Sequence, residues 1–367
     1  MLDIKNADPQ QTKEYMKTKR VFVYGAGRAL ESCVDIYLQG IVVEGIIDSD
    51  QNKIGKVVNI ANKQVKVMDR EQFVQVYNGC TDKQQMILFV SSPVYAAEIV
   101  AELDQIEALN GLQCFLQVLV RNTFGEHKAF EFSKGKEIIP RKIHYIWIGG
   151  KTLPYNFQKN IESWKKYNPS YEVIQWDESN YDFKKNDYMR MAYDKGEYGF
   201  ATNYARLDIL KQQGGIYLDV DVEAIKSFDM LLKDKTFFNM GCADRVNMGC
   251  GFGTIPNQKI IDDIMAQFKN CIEETIKRPF HNYVHPILKK YGFELSNCFQ
   301  NIDGVVLYPS EVMSPLAIPG LKDNFSENTV SIHKEAGTWM NEVEKQKAGK
   351  LEKIISRITH TRADTEL

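Results

Sequence analysis

The stretch Phe200-Ala-Thr-Asn203-Tyr204-Ala205-Arg206-Leu207-Asp208-Ile-Leu-Lys-Gln-Gln-Gly214-Gly215-Ile216-Tyr217-Leu218-Asp219-Val220-Asp221-Val222-Glu223 decides the reading of this 367-residue chain. It predicts a helix over Tyr198–Gln213 that stops at the glycine pair. A strand over Ile216–Val222 follows. Asp219 and Asp221 stand two apart at the end of that strand, so alternation puts both carboxylates on one side with Val220 opposite. Two like charges that close repel, and a hard divalent cation with oxygen ligands resolves the repulsion. Such a cation also holds a diphosphate, whose oxygens complete its shell. Asn203 and Arg206, three apart, share a face of the helix. A planar, permanently charged guanidinium suits a phosphate or a pair of sugar hydroxyls. An isolated Asp-x-Asp is commonly a pair of solvated loop charges. The extended order of Arg-bearing helix, Gly-Gly and Tyr-Leu-Asp-x-Asp is far more specific.

Around this stretch, the pattern is α/β. Ile143–Ile148 and Tyr171–Trp176 read as strands, Pro154–Tyr167 as a helix with proline at its start, and Gln258–Lys277 as a further helix. The N-terminal third alternates strands (Arg20–Tyr24, Ile41–Asp48, Val65–Val67, Met86–Val90, Cys114–Val118) with helices near Asp69–Tyr77 and Pro93–Leu109, as in a parallel sheet covered by helices. The expected division is a Rossmann-like domain over 1–120, a polar linker over 121–137, a second α/β domain over 138–340 and a basic amphipathic tail over 341–367. Gly25-Ala26-Gly27 follows the first of these strands as in a dinucleotide-binding turn, and Asp48 stands where a ribose-binding carboxylate is expected. Gly25, Gly27 and Asp48 are therefore the candidate cofactor residues of the first domain. Leu30 replaces the third glycine, and no clear Tyr-x-x-x-Lys stretch follows, which argues against NAD(P) and against a nicotinamide-dependent oxidoreductase. The alternative is a Rossmann-like scaffold whose glycines only make the turn.

The second domain resembles glycosyltransferase family 32, the Och1-like and capsular polysaccharide sugar transferases with a DXD motif. Three further stretches carry the resemblance: Ile139-Pro-Arg-Lys-Ile-His144-Tyr-Ile-Trp147-Ile-Gly149-Gly150, Ser163-Trp164-Lys-Lys-Tyr-Asn-Pro169-Ser-Tyr171-Glu-Val-Ile-Gln-Trp176, and Ser331-Ile332-His333-Lys-Glu-Ala-Gly-Thr-Trp339. The resemblance spans about 138–340. It implies a GT-A type fold and retaining transfer from a nucleoside-diphosphate sugar, such as a UDP- or GDP-sugar, with Mn²⁺ or Mg²⁺. Asp219, Asp221 and His333 would ligate the metal. Ile146, Trp147 and Gly149 would frame the base, and Trp339 would cover the diphosphate. Arg206, Asn203 and the two aspartates would form the catalytic group, and Asn247, in a glycine-rich loop, would line the sugar pocket. The sequence departs from the family at Asn203, where many members carry Asp beside the arginine. An amide donates and accepts hydrogen bonds but carries no charge.

The implied acceptor is a glycan or lipid-linked saccharide, and the implied process is surface polysaccharide assembly. Protein glycosylation is the rival enzyme reading. With 46 basic and 48 acidic residues the net charge is −2, so no global field draws nucleic acid. Hydrophobic residues make up 44%, as in an ordinary globular chain. The longest apolar runs are too short to span a bilayer, and the first residues lack the apolar core of a signal peptide, so a cytoplasmic protein is expected. The seven cysteines include no CxxC pair and read as thiols. His281 and His285, spaced i and i+4, are followed by Pro286 and read as structural or acceptor-side. In the tail, Leu351, Ile354, Ile355 and Ile358 form a stripe among basic residues. It either packs on the protein or rests peripherally on an anionic membrane.

Overall fold

The computed structural model describes residues 1–60, 63–269, 276–334 and 349–358. The chain forms two compact units. The first comprises Met1–Gly125, Ala317–Lys322 and the described C-terminal helix, 349–358; the second comprises Glu126–Leu316 and the described residues from Asp323 onward.

In the first unit the strands are β1 (Asp3–Lys5), β2 (Arg20–Tyr24), β3 (Val43–Ile47), β4 (Val57–Ile60), β5 (Lys63–Met68), β6 (Met86–Val90) and β7 (Gln113–Leu116). They lie in the order β1-β7-β6-β2-β3-β5-β4, parallel throughout except for the edge strand β4. Strand order reverses between β2 and β6, the doubly wound arrangement. Alternation sends Phe22, Tyr24, Leu88 and Val90 into one core, with helices Arg70–Asn78 and Ala96–Leu103. It sends Val21, Val23, Ile87 and Phe89 into another, with Tyr37 and Leu38. Both faces are covered, which is why β6 reads as an unbroken apolar run. Helix 349–358 is part of this unit: Ile354 and Ile355 are 6% and 2% exposed, in one core with Leu103 and Leu116. Leu351 and Ile358 flank them. Lys350 pairs with Glu98, and Arg357 with Asp104. The stripe is thus packed on protein, the first of the two expected arrangements. No helix among the described residues is long and apolar enough to cross a membrane.

In the second unit the strands are β8 (Lys142–Ile146), β9 (Glu172–Trp176), β10 (Gly215–Tyr217), β11 (Val222–Ala224), β12 (Thr236–Cys242), β13 (Arg245–Val246), β14 (Phe252–Thr254), β15 (Gln300–Ile302), β16 (Val305–Tyr308) and β17 (Ser331–His333). The main sheet runs β15-β16-β12-β14-β10-β8-β9, with β9, β8 and β10 parallel and β14 antiparallel to its neighbours. Helix Tyr198–Gln213 is buried nearly all round, so its polar residues Thr202, Asn203 and Arg206 lie inside the unit. The segment read as a linker is partly built into this unit. Phe130 stacks on Phe299, His127 hydrogen-bonds Glu311, and Ser133 donates to Asp234 at 2.8 Å.

Three expected elements are corrected: the strand expected over Cys114–Val118 ends at Leu116 and gives way to a helix over Gln117–Arg121, the helix expected over Gln258–Lys277 spans Lys259–Ala266, and the strand before the acidic pair is divided. The strand over Ile216–Val222 is two strands: β10 ends at Tyr217, and β11 begins at Val222 and pairs antiparallel with β17. The backbone between them turns, with Val222 N–H bonded to Asp219 O at 3.1 Å. Gly214 and Gly215 have φ of 64° and 97°, a region that favours glycine. A Cβ on Gly215 would lie 2.8 Å from Lys142 O and 2.9 Å from His144 Nε2. The glycine pair therefore both ends the helix and lets the acidic segment pass against β8.

Candidate active site

Asp219 and Asp221 sit in the turn between β10 and β11, and His333 ends β17 opposite Val222. Each offers a ligand atom, all within 4.8 Å of one another, and His333 Nε2 lies 3.3 Å from Asp221 Oδ1. The predicted convergence of the carboxylates is present, but a turn and the β11–β17 pairing produce it rather than strand alternation. The set of two carboxylates and an imidazole fits a divalent cation such as Mn²⁺. Its acidic members, close together and half-buried, repel each other unless a cation lies between them.

Asp219 is held from three sides. Tyr217 Oη donates to its Oδ1 at 2.8 Å, Arg206 Nη2 lies 3.4 Å from the same oxygen, and its backbone N–H donates to Gly249 O at 2.9 Å. Arg206 is 5% exposed, lies over the rings of Tyr217 and Phe280 at 4.6 and 5.3 Å, and donates to Thr202 Oγ1 at 3.0 Å. Burial alone would lower its pKa; Asp219 and, with it, the nearby Tyr217, Tyr188 and Asp221 together outweigh this and hold the guanidinium above its ordinary value. Burial pushes the Tyr217 phenol well up. Arg206 thus meets the site through Asp219. Asn203, one turn earlier, is also buried.

Asn247, expected to line the sugar pocket, lies against His333 of this candidate group. Its Nδ2 is 3.4 Å from His333 Nδ1 and its Oδ1 accepts from Gly249 N–H at 2.8 Å. A Cβ on Gly249 would fall 2.2 Å from Asp219 Oδ2, so only glycine leaves that carboxylate its place. Sequence reading missed Tyr217 and Gly249 as partners of Asp219, although Tyr217 lies in the stretch that carries the acidic pair and Gly249 in the glycine-rich loop of Asn247.

Ile146 is buried in the core, and Trp147 donates its indole N–H to Lys151 O at 2.6 Å. Gly149 N–H donates to Glu178 Oε1 at 2.7 Å, and a Cβ there would strike the Tyr198 ring at 2.4 Å. Glu178 also lines an open cavity of about 500 Å³ with Asn180, Tyr181 and Tyr193, just after β9. The loop expected to frame the base is thereby tied to a cavity wall. Below it, His144 is buried and neutral: Trp176 Nε1 donates to its Nδ1 at 3.0 Å, leaving Nε2–H for Gly214 O at 2.9 Å. Burial pulls its pKa down to about 4. Trp339 lies outside the described residues. His285 accepts from Val246 N–H at 3.2 Å and belongs to no metal cluster found among the described residues.

In the first unit Asp48, expected to bind a ribose, is bonded within its own turn. Its carboxylate accepts from Ala26 N–H at 2.8 Å, Lys53 Nζ at 3.0 Å and Asp50 N–H at 2.9 Å. Gly25 packs on Ser91, whose Oγ would be 2.8 Å from a Cβ, while Gly27 is exposed with nothing against it.

Residues 154–238 match the family described as "Glycosyltransferase sugar-binding region containing DXD motif". An uncharacterized glycosyltransferase of Acanthamoeba polyphaga mimivirus is 34% identical over 143 residues, 36% of this chain and 55% of that protein. The Legionella pneumophila protein named Subversion of eukaryotic traffic protein A is 32% identical over 114 residues, covering 23% of this chain and 17% of that one. Inositol phosphoceramide mannosyltransferase 3 of Schizosaccharomyces pombe is 33% identical over 105 residues, 28% of this chain and 29% of its own length. The chain therefore spans about half of the first relative and less of the others. The matched segment carries Asn203, Arg206, Asp219 and Asp221, and is similar to the sugar-binding region with a DXD motif of that family.

Proposed function

We propose that the second unit is a metal-dependent, retaining glycosyltransferase of GT-A type. It takes a sugar from a UDP- or GDP-sugar and passes it to a glycan or lipid-linked saccharide, in surface polysaccharide assembly. The observation that carries the reading is the convergence of Asp219, Asp221 and His333 within 4.8 Å, with both aspartates in the segment that matches the DXD sugar-binding family.

Asp219, Asp221 and His333 would hold Mn²⁺ or Mg²⁺, which when bound supplies positive charge to the leaving diphosphate. The chain's own residues fix where that charge sits. Tyr217 and Arg206 orient Asp219, and their bonds to a single oxygen leave its Oδ2 toward the Gly249 side. His333 is fixed by the β11–β17 pairing and by Asn247. Gly149 and Glu178 shape the cavity after β9 as a place for the nucleoside. Positions preset in this way cost little reorganisation as the glycosidic bond lengthens toward an oxocarbenium-like state.

The test is calorimetry with a panel of UDP- and GDP-sugars, in Mn²⁺ and in EDTA, on wild type and Asp221→Ala. The expected result is binding that needs metal and is lost in the variant. Product anomers read by NMR then decide retention. No binding by any donor at saturating Mn²⁺ would overturn the proposal.

A further inference from the structure

The three metal-binding side chains arrive on two segments, the turn before β11 and the end of β17. One side chain outside both is bonded to each. Asn160, on helix Tyr155–Tyr167, is 2% exposed. Its Nδ2 donates to the backbone oxygen of Val220, between the two aspartates, at 2.8 Å. Its Oδ1 accepts from Lys334 Nζ at 3.1 Å. Lys334 follows His333 directly, and its backbone N–H donates to Asp221 O at 3.0 Å, while Nζ also pairs with Glu223 at 2.8 Å. On the same helix face, Ser163 Oγ accepts from Ala224 N–H at 2.9 Å and Trp164 Nε1 donates to Val222 O at 2.7 Å. Residues 220, 222 and 224 present their backbone groups on one edge. The helix takes up that edge while β17 pairs with β11.

We propose that Asn160 is a positioning residue of the metal site, setting the distance between the DXD carboxylates and His333 by holding both of their segments at once. The inference rests on the reading that Asp219, Asp221 and His333 hold a divalent cation. Its physical basis is that a buried amide bonded at both ends is expensive to release, so each segment is fixed relative to a common point. Ligand geometry tolerates little slack, and groups that orient ligands typically contribute about 10- to 100-fold in metal affinity. The sequence gives no hint of this role, because Asn160 is remote from both segments and only the fold brings it between them.

Mn²⁺ alone is the probe, titrated with free Mn²⁺ followed by electron paramagnetic resonance. The proteins are wild type, Asp221→Ala, Asn160→Leu, Lys334→Met and the double variant Asn160→Leu/Lys334→Met. Leu is close in size to Asn and removes both hydrogen bonds. Lys334→Met cuts one limb of the bridge at a half-exposed position, so that variant stays folded. Expected are at least ~10-fold weaker Mn²⁺ binding for Asn160→Leu, a smaller loss for Lys334→Met, and a double variant no weaker than Asn160→Leu. Such non-additivity marks one shared linkage, which a general loss of stability does not produce. Melting of the metal-free proteins separates the two effects. Wild-type affinity in Asn160→Leu, or additive losses, would overturn the positioning role while leaving the metal site standing. If Asn160→Leu does not fold, unchanged affinity in Lys334→Met overturns it. Wild type that binds Mn²⁺ no better than Asp221→Ala overturns the underlying reading itself.

Discussion

Acidification should loosen the second unit through a single buried imidazole. His144 is fully enclosed, accepts from Trp176 and donates to Gly214, so both ring nitrogens are satisfied only in the neutral form. Burial lowers its pKa from 6.5 to about 4. The unfolded chain therefore binds a proton between those values that the folded chain refuses. The stability contributed is complete above pH 6.5, falls as pH drops, and stops falling below about pH 4. A drop of that size corresponds to about 3 kcal/mol, of which about 2 kcal/mol is already lost at pH 5. The perturbation is His144→Gln, whose amide can still donate toward Gly214 but does not titrate. Urea unfolding of both proteins is followed at pH 7 and pH 5 by tryptophan fluorescence. Among the described residues the tryptophans are Trp147, Trp164 and Trp176, all in this unit, and they report on it. Other groups titrate equally in both proteins, so the wild type should lose about 2 kcal/mol more than the variant on going to pH 5. Equal losses would refute the assignment of a neutral, desolvated His144.

Gly249→Ala should leave melting nearly unchanged, since no positive φ is involved, yet displace the Asp219 carboxylate. Mn²⁺ affinity measured by titration is then expected to fall at least ~10-fold; wild-type affinity would show that Asp219 is not a ligand. Ile355→Ala, in the C-terminal helix, should cost the first unit about 3 kcal/mol, because the side chain is 2% exposed and packed on Gly320. Urea unfolding followed by circular dichroism measures it, and a loss under ~1 kcal/mol would mean the helix is not part of that core. Asp48→Ala should lower the stability of the first unit by about 1–3 kcal/mol, since it strips the partner from Ala26 N–H and Lys53. Fluorescence titration of wild type with NADH and NADPH should show no saturable binding; tight binding would restore Asp48 to a ribose-binding role.

Much of the fold was legible in the sequence because it depends on local chemistry. Met86–Val90 has its predicted bounds and the helix expected within Tyr198–Gln213 stops at the glycine pair, since an unbroken apolar run and a helix closed by Gly-Gly are self-contained signals. The helix expected near Asp69–Tyr77 is present as Arg70–Asn78, capped by Asp69 in a capping box with Gln72. The acidic pair was found through its residue types and spacing, and the late histidine through the resemblance of the stretch Ser331-Ile332-His333 to the family. What failed was the local account of their meeting. Alternation within one strand was expected, but the chain turns at Asp219 and re-pairs with a strand over a hundred residues later. Such pairing is set by register between distant segments, which no window of sequence contains.

The sequence by itself determined the α/β class, the helix–glycine–acid stretch and the identity of the metal-binding candidates. Tertiary structure alone decided what the polar residues around them do. Arg206 is directed to Asp219, Asn247 to His333, Asn160 to the segments that carry the acidic pair and His333, and Asp48 to its own turn. The stripe in the tail likewise became a core element of the first unit only through packing. The physical reason is common to all of them. A side chain's type fixes which bonds it can make, whereas its partner is whatever group the folded chain leaves unsatisfied within about 3 Å.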